Sequence, residues 1–562
     1  MNRASAVKIL GYMRKEMLRS MQHLKAPGHP RPYFISYLLR DNRLYNVWGR
    51  YGSIQHEHYD HKRNAYADVR VGSYRFDHVT KGGLTDNSDE TESFDLTDVP
   101  VDNLEDGVRF SLWRLTDARY REAVARYHGR KSRNVSFLDE NKGVPSFVRV
   151  APETTIGRCT KFSIDDAYWR RYCKAASRVF RQFSEIKNSY VEFSACLQTK
   201  LFISSEGVER VWQEPVYSLV GYMWFHTKRT NQDISHVCHV SNIDELPDID
   251  TFKRQLQEKV NLLYKLDSGD EMSSYNGPVL MAPRPSGLFL HEVVGHRLEG
   301  NRLLSDAEGR TFKDKVNQKV MHPDLSIYDD PSRKTFAGQS LIGHYPFDDE
   351  GMPGTRATLV EKGVLKGFLT TRSPLKKSGH HSNGHARNHA HERPISRMAN
   401  LFVQSHSQHS WDDLKAMLLA EVRRRGLKYG LILLDVEGGE TETEAYDFQA
   451  FLGEITVAVK VYPNGRERFV RGVDFVGTPL SSLSNILAVG RDYVTDNGFC
   501  GAESGTVSVS TISPALLLAN LELQVKDPSK VTQYALPLPW FESSTSAPSG
   551  KGKPSRSKKA VR

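Results

Sequence analysis

Two imidazoles flank a carboxylate in the segment His291-Glu292-Val293-Val294-Gly295-His296. Histidine is a good zinc ligand, and a catalytic zinc site takes three protein ligands with a fourth position left open. A carboxylate beside the first ligand is placed to hold and deprotonate a metal-bound water, and Glu292 stands there. The usual peptidase arrangement sets its histidines four apart on one helix face. Here they are five apart. At about 100° per residue, five steps carry the second imidazole roughly 140° round an ideal helix. A shared metal therefore requires the helix to bulge or unwind, and Gly295 is the residue that best tolerates such a distortion. The plainer reading is a helix with two unrelated histidines. Its apolar setting, LFLHEVVGH, argues against that, because enclosed polar groups require partners.

Two histidines leave the ligand set incomplete. Cys500, in DNGFCG, is the candidate third donor, since a thiolate binds zinc strongly and flanking glycines would let a backbone approach the site. By itself a buried, inert cysteine is the simpler role for that residue, and its position 204 residues beyond His296 decides nothing.

The elements that must position these groups read as α+β. Residues 5–24 carry Val7, Leu10, Met13, Met17, Met21 and Leu24 at helical spacing, and this amphipathic helix is expected to pack on its own protein rather than on a membrane. Helices are expected over 165–187, 249–266 and 411–425, the last opening on Asp412 and Asp413 and stopping at Gly426. Runs such as VEFSACLQTKLFIS and PVYSLVGYMWFHT read as strands, and Pro463-Asn464-Gly465 as a hairpin turn. The boundaries expected are a basic helical extension at 1–32, α+β domains at 33–105 and 106–272, a β-rich catalytic domain carrying the metal-binding helix at 273–526, and a disordered basic tail at 527–562. Within that layout, the acidic, polar stretch at 85–104 reads as a linker or loop.

The 562 residues carry a net charge of +10, which on its face suggests nucleic acid. The excess sits at the two ends, +6 in residues 1–32 and +6 in 543–562, and leaves the body near −2. Basic fringes on a near-neutral body read as solvated ends. Five scattered cysteines without a C-x-x-C, no secretory h-region and no long apolar run together lead to the expectation of a cytoplasmic protein.

HEVVGHRLEG, followed in order by TLVEKGVLKGFLTTR, SNGHAR, RPISRMANLFV, LDVEGGETE, YDFQAFLGEITVAVKVYPNGR and NGFCG, resembles the TldD/PmbA metallopeptidase family over about residues 33–525. The resemblance implies His291, His296 and Cys500 as ligands of one zinc ion per subunit, Glu292 as general base, and Glu299 as acidic support. The family's partner-type subunits lack the histidine motif, so this chain resembles the catalytic type. The implied activity is zinc-dependent hydrolysis of peptides or unfolded polypeptide segments, in a homodimer or a heterodimer with a related subunit. The chain departs from the family in its basic N-terminal helix, its long tail and HHSNGHARNHAHE. His381, His385 and His389 of that segment would share a face if helical, but Asn383-Gly384 points to a loop contributing polar contacts to substrate. The competing reading is a nucleic-acid-associated or regulatory protein with a structural zinc site.

Overall fold

Alternation builds the first sheet. In a computed structural model that describes residues 1–79, 97–134, 143–305, 308, 311–376, 381–443, 450–526 and 536–541, strands β1 (Pro32–Arg50) and β2 (Ser53–Ser73) form a long antiparallel pair. Most of the expected 85–104 linker and nearly all of the tail lie outside these residues. Strand β3 (Ile186–Ser204) lies against β1 from Ser36↔Ser204 to Gly49↔Val191, and β4 (Val208–His226) and β5 (Asn231–Val240) continue the sheet. One sheet thus takes strands from both sides of residue 105. Val191, Phe193, Ala195 and Leu197 are buried and alternate with less buried neighbours, the period-two pattern of a half-covered strand.

Helices cover one face of this sheet. Helix α1 (Arg3–His23) buries Ile9, Leu10, Met13 and Met17 against Ile35, Tyr37 and Leu39, together with α2 (Glu105–Asn134). So the N-terminal helix packs on its own protein, as its spacing predicts, although Val7 of the expected apolar stripe is half exposed. Helices α3 (Asp166–Ser177) and α4 (Ile249–Asp267) cover Tyr45, Val47 and Phe193. The helix expected over 165–187 tightens to 3-10 form at Arg178–Gln182, and β3 begins at Ile186. Phe183 is already extended there, so its apolar spacing serves a turn. The opposite sheet face meets the C-terminal domain, where Leu38, Phe202 and Trp212 pack around Phe347.

The C-terminal domain is built on a twelve-stranded mixed sheet among the described residues. Strand β6 (Tyr275–Met281) pairs parallel with β7 (Gly430–Thr441), which pairs antiparallel with β8 (Phe451–Val461). Strand β9 (Ile486–Ala502) forms a hairpin with β10 (Gly505–Val525), and β10 also pairs with β6. Helix α5 (Pro283–Leu290) starts directly after β6 with proline in its first turn, where the missing N–H costs nothing. Helix α6 (Trp411–Arg424) carries a full capping box between Ser410 and Asp413 and ends before Gly426 at φ +63°. The architecture is the expected α+β one. No helix among the described residues is long and apolar enough to cross a membrane.

Candidate metal centre

Helix α5 does not continue as an α-helix through the histidines. His291–Gly295 is one π-helical turn, closed by the His296 N–H donating to the His291 carbonyl. An i→i+5 bond closes a ring one residue longer, so side chains five apart come to the same face. The two imidazoles stand with ring centroids 5.0 Å apart. This is the distortion that the five-residue spacing demands. Gly295 serves it differently from expectation, for its backbone (φ −54°, ψ −61°) is ordinary right-handed helix. A Cβ at that position would lie 2.1 Å from Sδ of the buried Met398, whose side chain would have to shift to admit it.

Strand β9 brings the third donor from across the cleft. Nε2 of His291 and Nε2 of His296 each stand 3.3 Å from Cys500 Sγ, and the three donor atoms all lie within 4.8 Å of one another. All three residues are buried, and no other such grouping of histidine, cysteine and carboxylates occurs among the described residues. The glycines flanking Cys500 do not serve close approach, since a Cβ at Gly498 or Gly501 would meet open space.

The arrangement fits a zinc ion. Donors bound tetrahedrally at zinc's usual bond lengths lie roughly 3.5 Å apart, close to the spacing of the sulfur and each nitrogen. Burial alone would push the Cys500 thiol up, but His296, His291 and Arg397 outweigh it and hold the thiol well below its ordinary value. Burial would likewise lower both imidazoles, and Cys500 overrides it, aided by Glu292 at His291 and by Glu299 at His296. A thiolate facing two imidazoles is a soft, anionic donor set suited to zinc.

Around these donors lies a shell of buried charges. Glu299 Oε1 takes His296 Nδ1 at 3.2 Å, leaving Nε2 toward the sulfur. Its other oxygen accepts from Arg302 Nε at 3.0 Å, and Arg302 also binds Glu503 and Glu308. Histidine, two arginines and burial leave the Glu299 carboxyl at about 2, desolvation pushing upward and the cations prevailing. Arg397 donates to the Cys500 carbonyl (2.7 Å) and sulfur (3.3 Å) and to the Ser504 hydroxyl and Gly505 carbonyl. The sequence assigned no role to Arg397, Arg302 or Glu503. An arginine set in the apolar run ISRMANLFV was the one signal available for Arg397.

The dispersed motifs converge here. Leu369 of GFLTTR accepts from the Gly300 N–H and donates to the Leu298 carbonyl, pinning the turn after His296. Ser396 and Asn301 exchange two hydrogen bonds, which fixes the loop bearing Arg397. The histidine-dense segment is not helical. His385 is fully buried between Asp329 and Asn383, and Arg387 donates to the Met398 and Ser508 carbonyls. No described residue of that segment lines the cleft beside the candidate centre; residues 384–388 are buried as a brace, while His381 and His389 are exposed.

That cleft encloses about 880 Å³. Its walls are β7, β9 and, from the N-terminal half, β5 with Lys259 of α4. Glu292 faces it, 4% exposed, with His296 Nε2 3.9 Å from its carboxylate. Gly439 of β7 presses so closely that a Cβ there would lie 3.1 Å from Glu292 Cγ.

Residues 274–525 match the PmbA/TldA metallopeptidase C-terminal domain. That match places the C-terminal domain of this chain in the PmbA/TldD metallopeptidase family. It is 34% identical over 272 residues to a protein of Archaeoglobus fulgidus named metalloprotease, covering 48% of this chain and 58% of that one. To the zinc metalloprotease TldD homolog of Saccharolobus solfataricus it is 25% identical over 354 residues, 62% and 74% of the two chains. The chain spans about half the length of the curated relatives it matches first. The likeness in fold extends further than the likeness in sequence: the structure of TldE from Thermococcus kodakarensis superposes with a TM-score of 0.58 at 13% identity, over 91% of this chain and 100% of that one.

Proposed function

We propose that this protein is a zinc-dependent peptidase acting on peptides or unfolded polypeptide segments. The observation that carries the reading is a set of three convergent donors, His291, His296 and Cys500, buried at the floor of an open cleft with Glu292 beside them. A structural zinc site closes its coordination with a fourth protein ligand, whereas a catalytic one keeps a position open; a three-donor set bordering a cleft favours the catalytic case. One zinc ion per chain, held by these residues, would supply Lewis acidity toward water and the scissile carbonyl.

The chain's own groups do the rest. Glu292 takes the proton of the attacking water and returns it to the leaving amine. Glu299 fixes the tautomer and direction of His296, and Arg397 steadies Cys500 as thiolate. β7 pairs with β6 only through Leu433, so on that edge the backbone from Asp435 to Thr441 has no strand partner among the described residues. An extended substrate laid along it would be held by main-chain hydrogen bonds, a mode that suits unfolded segments. A second copy or a related subunit is the proposed partner.

The nucleic-acid reading rests on the basic ends. At the N-terminal one, Arg14, Lys15 and Arg19 are spent on Glu209, Glu105 and Glu16. The deciding experiment is metal analysis and incubation with a mixed peptide library, on wild type and Glu292→Gln. Zinc is expected in both proteins and cleavage in wild type alone, the variant losing at least about 100-fold. Cleavage retained by the variant removes Glu292 from the mechanism.

A further inference from the structure

The cations of the cleft are all spent. Lys259 Nζ lies 2.6 Å from Asp435, and Arg284 sits between Asp435 and Asp496. Arg302 is claimed by Glu299, Glu308 and Glu503. Besides Glu292, two carboxylates remain on the cleft wall among the described residues, Glu437 and Glu440 of β7. Both are exposed and neither forms an ion pair with a described residue; Glu437 meets the hydroxyl of Ser235 and feels Arg284 only at longer range, alongside Asp233 and Asp435.

Their place along the strand gives this surplus a meaning. Gly439 abuts the Glu292 side chain, so Glu440 is one residue and Glu437 two residues from the point where β7 passes the proposed general base. At about 3.3 Å per residue, both lie within about 7 Å of it along the strand. Glu292 is an independent pointer to a ligand at this spot: it is 4% exposed, it borders the cleft, and the one ion pair its carboxylate forms among the described residues is the 3.9 Å approach to His296. Across that span the edge of β7 has no strand partner, while Gly438 and Gly439 put no side chain between Glu437 and Glu440. A chain lying extended there would bring side chains near the bond to be cut against two carboxylates that have no ion-pair partner among the described residues. A carboxylate so placed would lose energy beside an acidic residue and gain it beside a cation.

We propose that this cleft selects peptides carrying lysine or arginine within two residues of the scissile bond, with Glu437 and Glu440 receiving the cation. The proposal rests on the peptidase reading for the identity of that bond. Its test separates the two. Zinc-loaded Glu292→Gln protein is titrated at low salt with fluorescent nine-residue unstructured peptides, identical except for lysine, glutamine or glutamate at one central position. The lysine peptide is expected to bind about tenfold more tightly than the glutamine one, with the margin shrinking as salt is added. In the same background, Glu437→Gln with Glu440→Gln brings the ratio to near one, and Glu437→Lys with Glu440→Lys turns it toward the glutamate peptide. Ratios within one protein are insensitive to partial misfolding. Equal affinities in the parent, or a ratio that survives the double glutamine variant, overturn the proposal. The same peptides are incubated with the wild-type chain. If none is cut while the ratio holds, the peptidase reading falls and the cation preference stands; cleavage indifferent to charge does the reverse.

Discussion

Glu299 shows how much a candidate metal centre asks of residues outside its three donors. One carboxylate orients His296 through Nδ1 and is itself held by Arg302 and Arg397, so the imidazole presents a defined nitrogen to Cys500. Glu299→Gln keeps the shape but removes the charge that draws a proton onto Nδ1. Zinc affinity, measured by competition with a chelator, should fall by about 10–100-fold, and peptide cleavage should return when zinc is added in excess. An unchanged affinity would mean that burial alone orients the ring. Arg397 acts on the other ligand. It contributes positive charge beside a buried sulfur and anchors the β9–β10 turn through Ser504 and Gly505.

At the scale of elements, the π turn is the decisive piece. It reconciles a five-residue spacing with a shared centre, and it is stabilised from outside, because Met398 packs where a side chain at 295 would sit. Gly295→Ala should destabilise the protein by about 1–3 kcal/mol and lower its zinc content. Met398→Ala in that background makes room for the new methyl group. Thermal midpoints of the two single variants and the double variant should therefore be non-additive, the double being less damaged than the sum. Additive losses would place the strain elsewhere in the turn. The β7 edge is the second functional element, where Gly439 lets the strand run against Glu292.

Across the whole molecule, the N-terminal sheet is joined to the C-terminal domain by buried ion pairs as well as apolar contacts. Lys200 of β3 meets Asp349 at 2.9 Å, Asp68 of β2 meets Arg393 at 2.8 Å, and Glu206 meets Arg372 at 2.6 Å. Burial pushes the Asp349 carboxyl up, but Lys200 and Arg40 outweigh it and hold it below its ordinary value. A carboxyl lowered in the folded state stabilises the fold above its unfolded value and ceases to do so as the pH falls through the folded one. Asp349→Asn should thus cost about 3 kcal/mol at pH 7, and its thermal midpoint should converge on that of wild type as the pH falls below about 4. A gap that stays constant with pH would assign the loss to packing.

Much of this was legible in the residues. Phe252, Leu256, Val260 and Leu263 announce α4, and Asp412 and Asp413 with Gly426 bracket α6, because helix periodicity and end signals are local properties. The need for a distorted turn also follows from spacing alone, since five residues cannot return to one face of an α-helix. Chain order could not reveal that Cys500 faces His291 and His296, that Arg397 and Glu299 tie the two halves of the centre together, or that Gly295 is required by Met398. It equally misplaced the histidine-dense segment, whose ring at 385 is buried against Asp329. Those facts depend on strand pairing between residues as far apart as Asn276 and Glu522 and on the packing of motifs spread over two hundred positions. Local chemistry named the donors, and long-range pairing decided which of them meet.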